Sequence, residues 1–169
     1  MSRSSIVLAV GLTGIVFAVA VPVRSYEHAR SAERAAEETL LAIDNAQIAF
    51  RVHNGAGGYA ADLASLATAC PGSTEPSAFS NVHPSDYSFL IRPALRSKPV
   101  GRDCHGRETV SDYYAAAEPK PGSTPRQALA LTSRGRVYVF FDGVAPTESD
   151  MELGGLAVPF DQLDTFRVW

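Results

Sequence analysis

Three kinds of side chain in this sequence could do chemistry: two cysteines, four histidines and a late run of carboxylates. Cys70 and Cys104 are the only cysteines, so the chain closes one disulfide or none. In an oxidising compartment the bridge would close a loop of roughly 35 residues and contribute on the order of 3–4 kcal/mol in the chain-entropy account. In a reducing compartment the two are expected as separate buried thiols. Zinc would need further ligands at metal spacing. Cys104 and His105 are adjacent, but neither a C-x-x-C nor an H-x-x-x-H pattern accompanies them.

His28, His53, His83 and His105 are scattered, and nothing in their spacing brings two or three together. They are expected on loops or facing solvent. Asp142, Glu148, Asp150 and Glu152, interleaved with glycine and backbone carbonyls, are a donor set that suits Ca²⁺, a hard cation that takes oxygen ligands. Their spacing is not that of an EF-hand, and an exposed acidic loop is as a rule merely solvated. There is no Gly-x-Ser-x-Gly elbow. Gly55-Ala56-Gly57-Gly58 follows a helical stretch rather than a strand and lacks the lysine of a phosphate loop. Calcium aside, the residues imply no cofactor, no small-molecule substrate and no catalytic group, so a non-enzymatic role is expected.

The elements that would carry these residues begin with an apolar run. Ile6 to Val23 holds no charge and, at about 18 residues, just reaches the roughly 17–25 that a spanning helix needs. Ile6, Leu8, Leu12, Ile15, Phe17 and Pro22 mark it out as a membrane helix. Arg3 and Arg24 flank it evenly, so charge does not orient it. The short leader favours an inside N-terminus with the remainder outside the cytoplasm. The alternative is a cleaved signal peptide, with Arg3 as the positive region, Ile6–Phe17 as the apolar region and Ala18-Val19-Ala20 as the cleavage site. Both alternatives place the head where Cys70 and Cys104 can oxidise.

After Pro22 the chain continues as a charged helix without Gly or Pro until Gly55. Ala29, Ala32, Ala36, Leu40, Ile43 and Phe50 recur at three-and-four spacing, with Gln47 the one polar position on the stripe. Leu41 and Ile48 are expected to thicken it. Asn54-Gly55 and Gly57-Gly58 then end the helix. The expectation is one helix from about Ser4 to His53, gently bent at Pro22. Such a helix is about 75 Å long, so half of it must protrude from a small domain. Three parts follow: an apolar half-helix over 1–25, an amphipathic half-helix over 26–54 and a globular head over 55–169.

The run Gly14-Ile15-Val16-Phe17-Ala18-Val19-Ala20-Val21-Pro22, the charged Ala/Glu/Arg helix after it, and Ile43-Asp44-Asn45-Ala46-Gln47-Ile48-Ala49-Phe50 together resemble type IV pilins and the pseudopilins of type II secretion. Gly58-Tyr59-Ala60-Ala61-Asp62-Leu63-Ala64-Ser65-Leu66 is similar to the Gly-Tyr-x-x-x-Leu-x-x-Leu stretch that opens their heads. The similarity covers about residues 6–66 by pattern and extends more loosely to about Gly143. It implies a single-pass subunit of the bacterial inner membrane with a periplasmic head, partnered by other pilin-like subunits or by itself. It also implies a late calcium loop of the kind some pseudopilins carry. The chain departs from the family at its start, Met1-Ser2-Arg3-Ser4-Ser5, which has neither the glycine nor the glutamate of a prepilin cleavage motif. Ser5 stands where that glutamate would be. Two alternatives remain, a start upstream of Met1 or a relative that is not processed and does not polymerise in the usual way.

Within the head, Asp62–Ala69 reads as a short helix capped by Asp62, and 71–85 as a Ser/Pro/Asn-rich loop. Asp86–Arg92 and Asp112–Glu118 read as strands, with Tyr87, Phe89 and Ile91 on one face. Arg96–Arg107 reads as a polar loop. Ala128–Thr132 and Val137–Phe141 form a hairpin around Ser133-Arg134-Gly135-Arg136. The apolar tail from Val158 is expected to dock on a sheet edge or meet a neighbouring subunit. The fold class is α+β: a long helix on an antiparallel sheet of about three to four strands. Composition agrees with a packed domain, 46% hydrophobic with a mean hydropathy of -0.02. The net charge of -3 offers no basic face for nucleic acid. The alternative function is an exported ligand-binding domain that uses its sheet aromatics.

Overall fold

The computed structural model describes the backbone of residues 3–68, 70, 86–125, 127–152 and 158–159, and the side chains of those that fall within 27–151. The loop expected over 71–85 and the tail beyond 159 lie outside the described residues, as does His83. Helix α1 spans Arg3–His53 and runs through Pro22. Of the stripe the three-and-four spacing predicts, Ala32, Ala36, Leu40, Ile43, Gln47 and Phe50 are buried and Ala29 is half-buried. The alanines at its upper end present little bulk, so the helix axis can approach the sheet closely there. Leu41 and Ile48 do not join the stripe. They are 39% and 50% exposed, because one residue further along a helix is a turn of about 100° away from the buried face.

The helix ends as the glycines require. Asn54 and Gly55 both donate to the Phe50 carbonyl, at 2.8 and 2.7 Å, closing the last turn. Arg51 suits the negative end of the helix dipole. Its guanidinium donates to the Gly57 carbonyl and the Tyr59 hydroxyl, both at 3.0 Å, and lies 5.1 Å from the Tyr59 ring centroid. The chain thus turns straight into strand β1 (Tyr59–Ala60).

Helix α2 (Leu63–Ala67) is capped by Asp62, whose carboxylate accepts from the Ser65 amide at 2.7 Å. Strands β2 (Tyr87–Pro93), β3 (Pro99–Arg102), β4 (Glu108–Val110), β5 (Tyr113–Pro119), β6 (Ala128–Thr132) and β7 (Val137–Phe140) follow. Helix α3 (Glu148–Glu152) and strand β8 (Val158–Pro159) complete the order.

The strands make two antiparallel sheets rather than one of three to four strands. The smaller has the order β1-β4-β3 and the larger β2-β5-β6-β7-β8. The stretch expected as a polar loop, Arg96–Arg107, instead contains β3. An exposed edge strand has no face to bury, so it carries no apolar alternation to announce it. Strand β8 pairs Val158 with Val139 and Pro159 with Tyr138, docking the start of the tail on the sheet edge where a proline is tolerated.

The larger sheet is covered on both faces, which is why β5 reads Tyr-Tyr-Ala-Ala-Ala with five consecutive buried residues. Tyr113, Ala115, Ala117, Leu129, Leu131, Val137 and Val139 face α1, together with Tyr87 and Ile91. Tyr114, Ala116 and Ala130 face the other way, under Met151 of α3, with Leu90, Tyr138 and Ala145 at the margin. Cys70 and Cys104 form a disulfide with Cα atoms 5.9 Å apart, joining the chain just after α2 to the β3–β4 turn. Closing 34 residues of chain is worth about 3–4 kcal/mol.

Candidate functional site

Two seams fix the head to α1. At the first, fully buried Gln47 treats β1 as a neighbouring strand. Its amide donates to the Ala60 carbonyl at 3.0 Å and accepts from the Ala60 amide at 2.8 Å. At the second, the Tyr113 hydroxyl donates to the Asp44 carboxylate, and the Tyr59 ring meets the Tyr113 ring edge-on at 5.0 Å. Burial, then the Asp44 charge, pushes the Tyr113 hydroxyl far above the ordinary tyrosine range. Tyr113 therefore stays a neutral donor here, and Tyr59 accepts from Arg51 and packs against Tyr113.

With its inner stripe occupied, α1 keeps a second apolar row. Leu41, Ile48 and Val52 are 39%, 50% and 69% exposed, with Asn45 exposed between them. Positions 41, 45, 48 and 52 are spaced four, three and four apart, a single helix face. That row starts where the charged residues Arg34 and Glu38 leave the same face.

A small cleft of about 80 Å³ opens on the opposite side of the larger sheet, between α3, the segment after β2 and the β6–β7 hairpin. Asp112, Thr132, Arg134, Tyr138, Glu148 and Arg96 contribute to its wall. Asp112 and one oxygen of Glu148 are committed to structure. Asp112 accepts from the Ser133 hydroxyl and from the Tyr113 amide. Glu148 is buried, accepts from the Leu95 amide and lies 3.8 Å from the Arg92 guanidinium. Arg92 in turn stacks 4.5 Å from the Tyr114 ring centroid, and the Tyr114 hydroxyl donates to the Pro146 carbonyl. Burial raises that hydroxyl to about 12, with Arg92 pulling it back in part.

The four residues read as calcium donors are not brought together among the described side chains. Asp142 accepts from the Val144 amide at 3.1 Å, an ordinary turn contact. Asp150 forms a reciprocal cap with Thr147. It accepts from the Thr147 hydroxyl at 2.7 Å and the Thr147 amide at 2.8 Å, while its own amide donates to that hydroxyl at 3.3 Å. Those bonds, the hydroxyl first, hold its carboxyl below the usual range. Glu148 points to Leu95 and Arg92, and the side chain of Glu152 lies outside the described set. Among the described side chains, Asp142, Glu148 and Asp150 each take a separate partner.

The histidines also stay apart among the described residues. His28 approaches Asp86 at 3.9 Å, His53 is exposed at the end of α1, and His105 sits beside the disulfide. The ligand atoms of Cys70, Cys104 and His105 lie within 4.8 Å of one another. Asp103 orders that turn by accepting from the His105 amide at 2.9 Å and from the Arg107 amide at 2.8 Å. Its other oxygen takes the Arg107 guanidinium at 2.8 Å. Burial alone would raise this carboxyl, but the Arg107 and His105 bonds outweigh it and hold it below its ordinary value.

The membrane-helix residues Ile6, Leu8, Leu12, Ile15, Phe17 and Pro22 belong to α1, but their side chains lie outside the described set. Among the described residues no helix is long and apolar enough to cross a membrane. No family model, curated protein or solved structure matches the chain.

Proposed function

We propose that this chain is a membrane-anchored, pilin-like or pseudopilin-like structural subunit of a type IV pilus or type II secretion-like system. In this reading the head stands in the periplasm of a bacterial cell and the chain acts by assembly rather than catalysis. The observation that carries it is the division of labour along α1. The helix is 51 residues long, and among its described side chains, which begin at residue 27, those in the head's core fall between Ala32 and Phe50. A helix of that length spans roughly 76 Å, about twice what a head of this size can cover. The uncharged run from Ile6 to Val23 then supplies the anchor.

The exposed row Leu41, Ile48 and Val52 gives the anchored helix a face for a neighbouring subunit or a second copy. The rival, an exported ligand-binding domain, would draw on the cleft beside α3. At about 80 Å³ that cleft is well below the roughly 300–1,000 Å³ of sites that enclose a small molecule.

The test is proximity in the membrane. Single cysteines at Leu41, Ile48 and Val52, treated with a short bifunctional maleimide in intact cells, should give dimeric or higher adducts. A cysteine at Lys120, an exposed position after β5, should give none. Monomer at all four positions would contradict the assembly reading.

A further inference from the structure

The cluster of Cys70, Cys104 and His105 has a second chemistry that the disulfide conceals. Their ligand atoms lie within 4.8 Å of one another, Cys104 and His105 are exposed, and Cys70 is partly so. Two thiolates and an imidazole are a donor set for a borderline-soft divalent ion. We propose that the dithiol form of this cluster is a binding site for a thiophilic divalent cation of the zinc class. The site would have three protein ligands and a fourth position open to solvent.

The chemistry balances in two steps. A small dithiol reductant gives two electrons and two protons to the Cys70–Cys104 bond and leaves as its own cyclic disulfide, giving two thiols. The metal ion then displaces both thiol protons as it binds, and the neutral imidazole of His105 donates its lone pair. Zinc–sulfur bonds of about 2.3 Å in a tetrahedron place two thiolate sulfurs about 3.8 Å apart. The sulfurs must separate to reach that spacing, and Cα atoms 5.9 Å apart leave the side chains room to rotate.

What keeps the three ligands together without the covalent bond is Arg107. Its guanidinium reaches across to the Ser65 carbonyl at 3.4 Å and the Thr68 hydroxyl at 3.3 Å, at the end of α2 just before Cys70. The same guanidinium and the Arg107 amide hold Asp103, which in turn holds the His105 amide. Asp103 is therefore a positioning residue and not a ligand, because both its oxygens are used. One bonded unit carries Cys104 and His105, and it grips the segment that carries Cys70.

The full chain in mild detergent is reduced with dithiothreitol, freed of it without air, and titrated with Co²⁺ as a spectroscopic probe. Saturation at one equivalent with an intense near-ultraviolet sulfur-to-cobalt charge-transfer band is expected, and Zn²⁺ should abolish the band. The oxidised chain should show neither. His105→Ala should weaken Co²⁺ binding about tenfold or more. The oxidised form of that variant should melt with the wild type, which separates a lost ligand from a lost fold; His105→Asn replaces it if it does not. No charge-transfer band in the reduced wild type, or a smaller loss on removing the imidazole, overturns the proposal.

Discussion

Gln47 occupies a place that packing alone would give to leucine, since its neighbours on the stripe, Ile43 and Phe50, are apolar and buried. Its two bonds to Ala60 explain the exception, because they satisfy a backbone amide and carbonyl that the short strand β1 presents to the helix. Gln47→Leu leaves both groups buried and unpaired, at about 1–3 kcal/mol each. Chemical denaturation should register a loss of about 3 kcal/mol, whereas a variant within 0.5 kcal/mol of wild type, itself only about the noise of a surface change, would show that Gln47 is replaceable packing.

Asp103 gives a pH-dependent prediction. Its carboxyl is held below its ordinary value of 3.8, so the stability it contributes is complete above that value and is lost as pH falls through the lowered one. Asp103→Asn should therefore lower stability at pH 7 and flatten the acid limb of the stability–pH curve below about pH 4. Thermal melts across about pH 2–7 would refute the assignment if wild type and variant lost stability in parallel. The two residues differed in legibility. Gln47 was visible as a break in an apolar period, though its partner lies on another element. Asp103 was hidden, because an Asp in a polar stretch looks the same whether it faces water or organises a turn.

Between elements, a close join lies at Gly58, which enters β1 against β4. A Cβ there would sit 2.5 Å from the Thr109 hydroxyl oxygen, 2.8 Å from the Thr109 Cβ and 3.1 Å from the Val100 Cβ. Thr109 is buried and β-branched, so it cannot rotate away freely. Gly58→Ala must shift β4 against β1 and should cost about 1–3 kcal/mol by overpacking. Amide exchange should quicken at Tyr59, Ala60 and Thr109 more than in β6. Unchanged protection there would mean the join is looser than the contacts indicate. The β6–β7 hairpin was legible because its strands alternate around a turn with Gly135 in a left-handed conformation. β3 was not, since an exposed edge has no apolar period, and the split into two sheets depends on pairings between distant strands that periodicity does not encode. The exposed row on α1 was misjudged for a related reason: Leu41 and Ile48 are apolar, but only the sheet's position decides which side of the helix counts as inside.

For the molecule as a whole, the α+β layout follows from a helix with one stripe to bury and a sheet able to cover it. Among the described side chains Asp142, Glu148 and Asp150 each take a separate partner, because neighbours in sequence around a helix start need not aim at one point. The proposed assembly role rests on the uncharged run of the first half-helix. The central claim is that the uncharged run Ile6–Val23 is retained as an anchor. The direct measurement is alkaline carbonate extraction of membranes from cells producing the full chain, with intact-mass analysis of the recovered protein. The account predicts a chain in the membrane pellet that still carries that run. A soluble chain whose first residue is Val21 would contradict it.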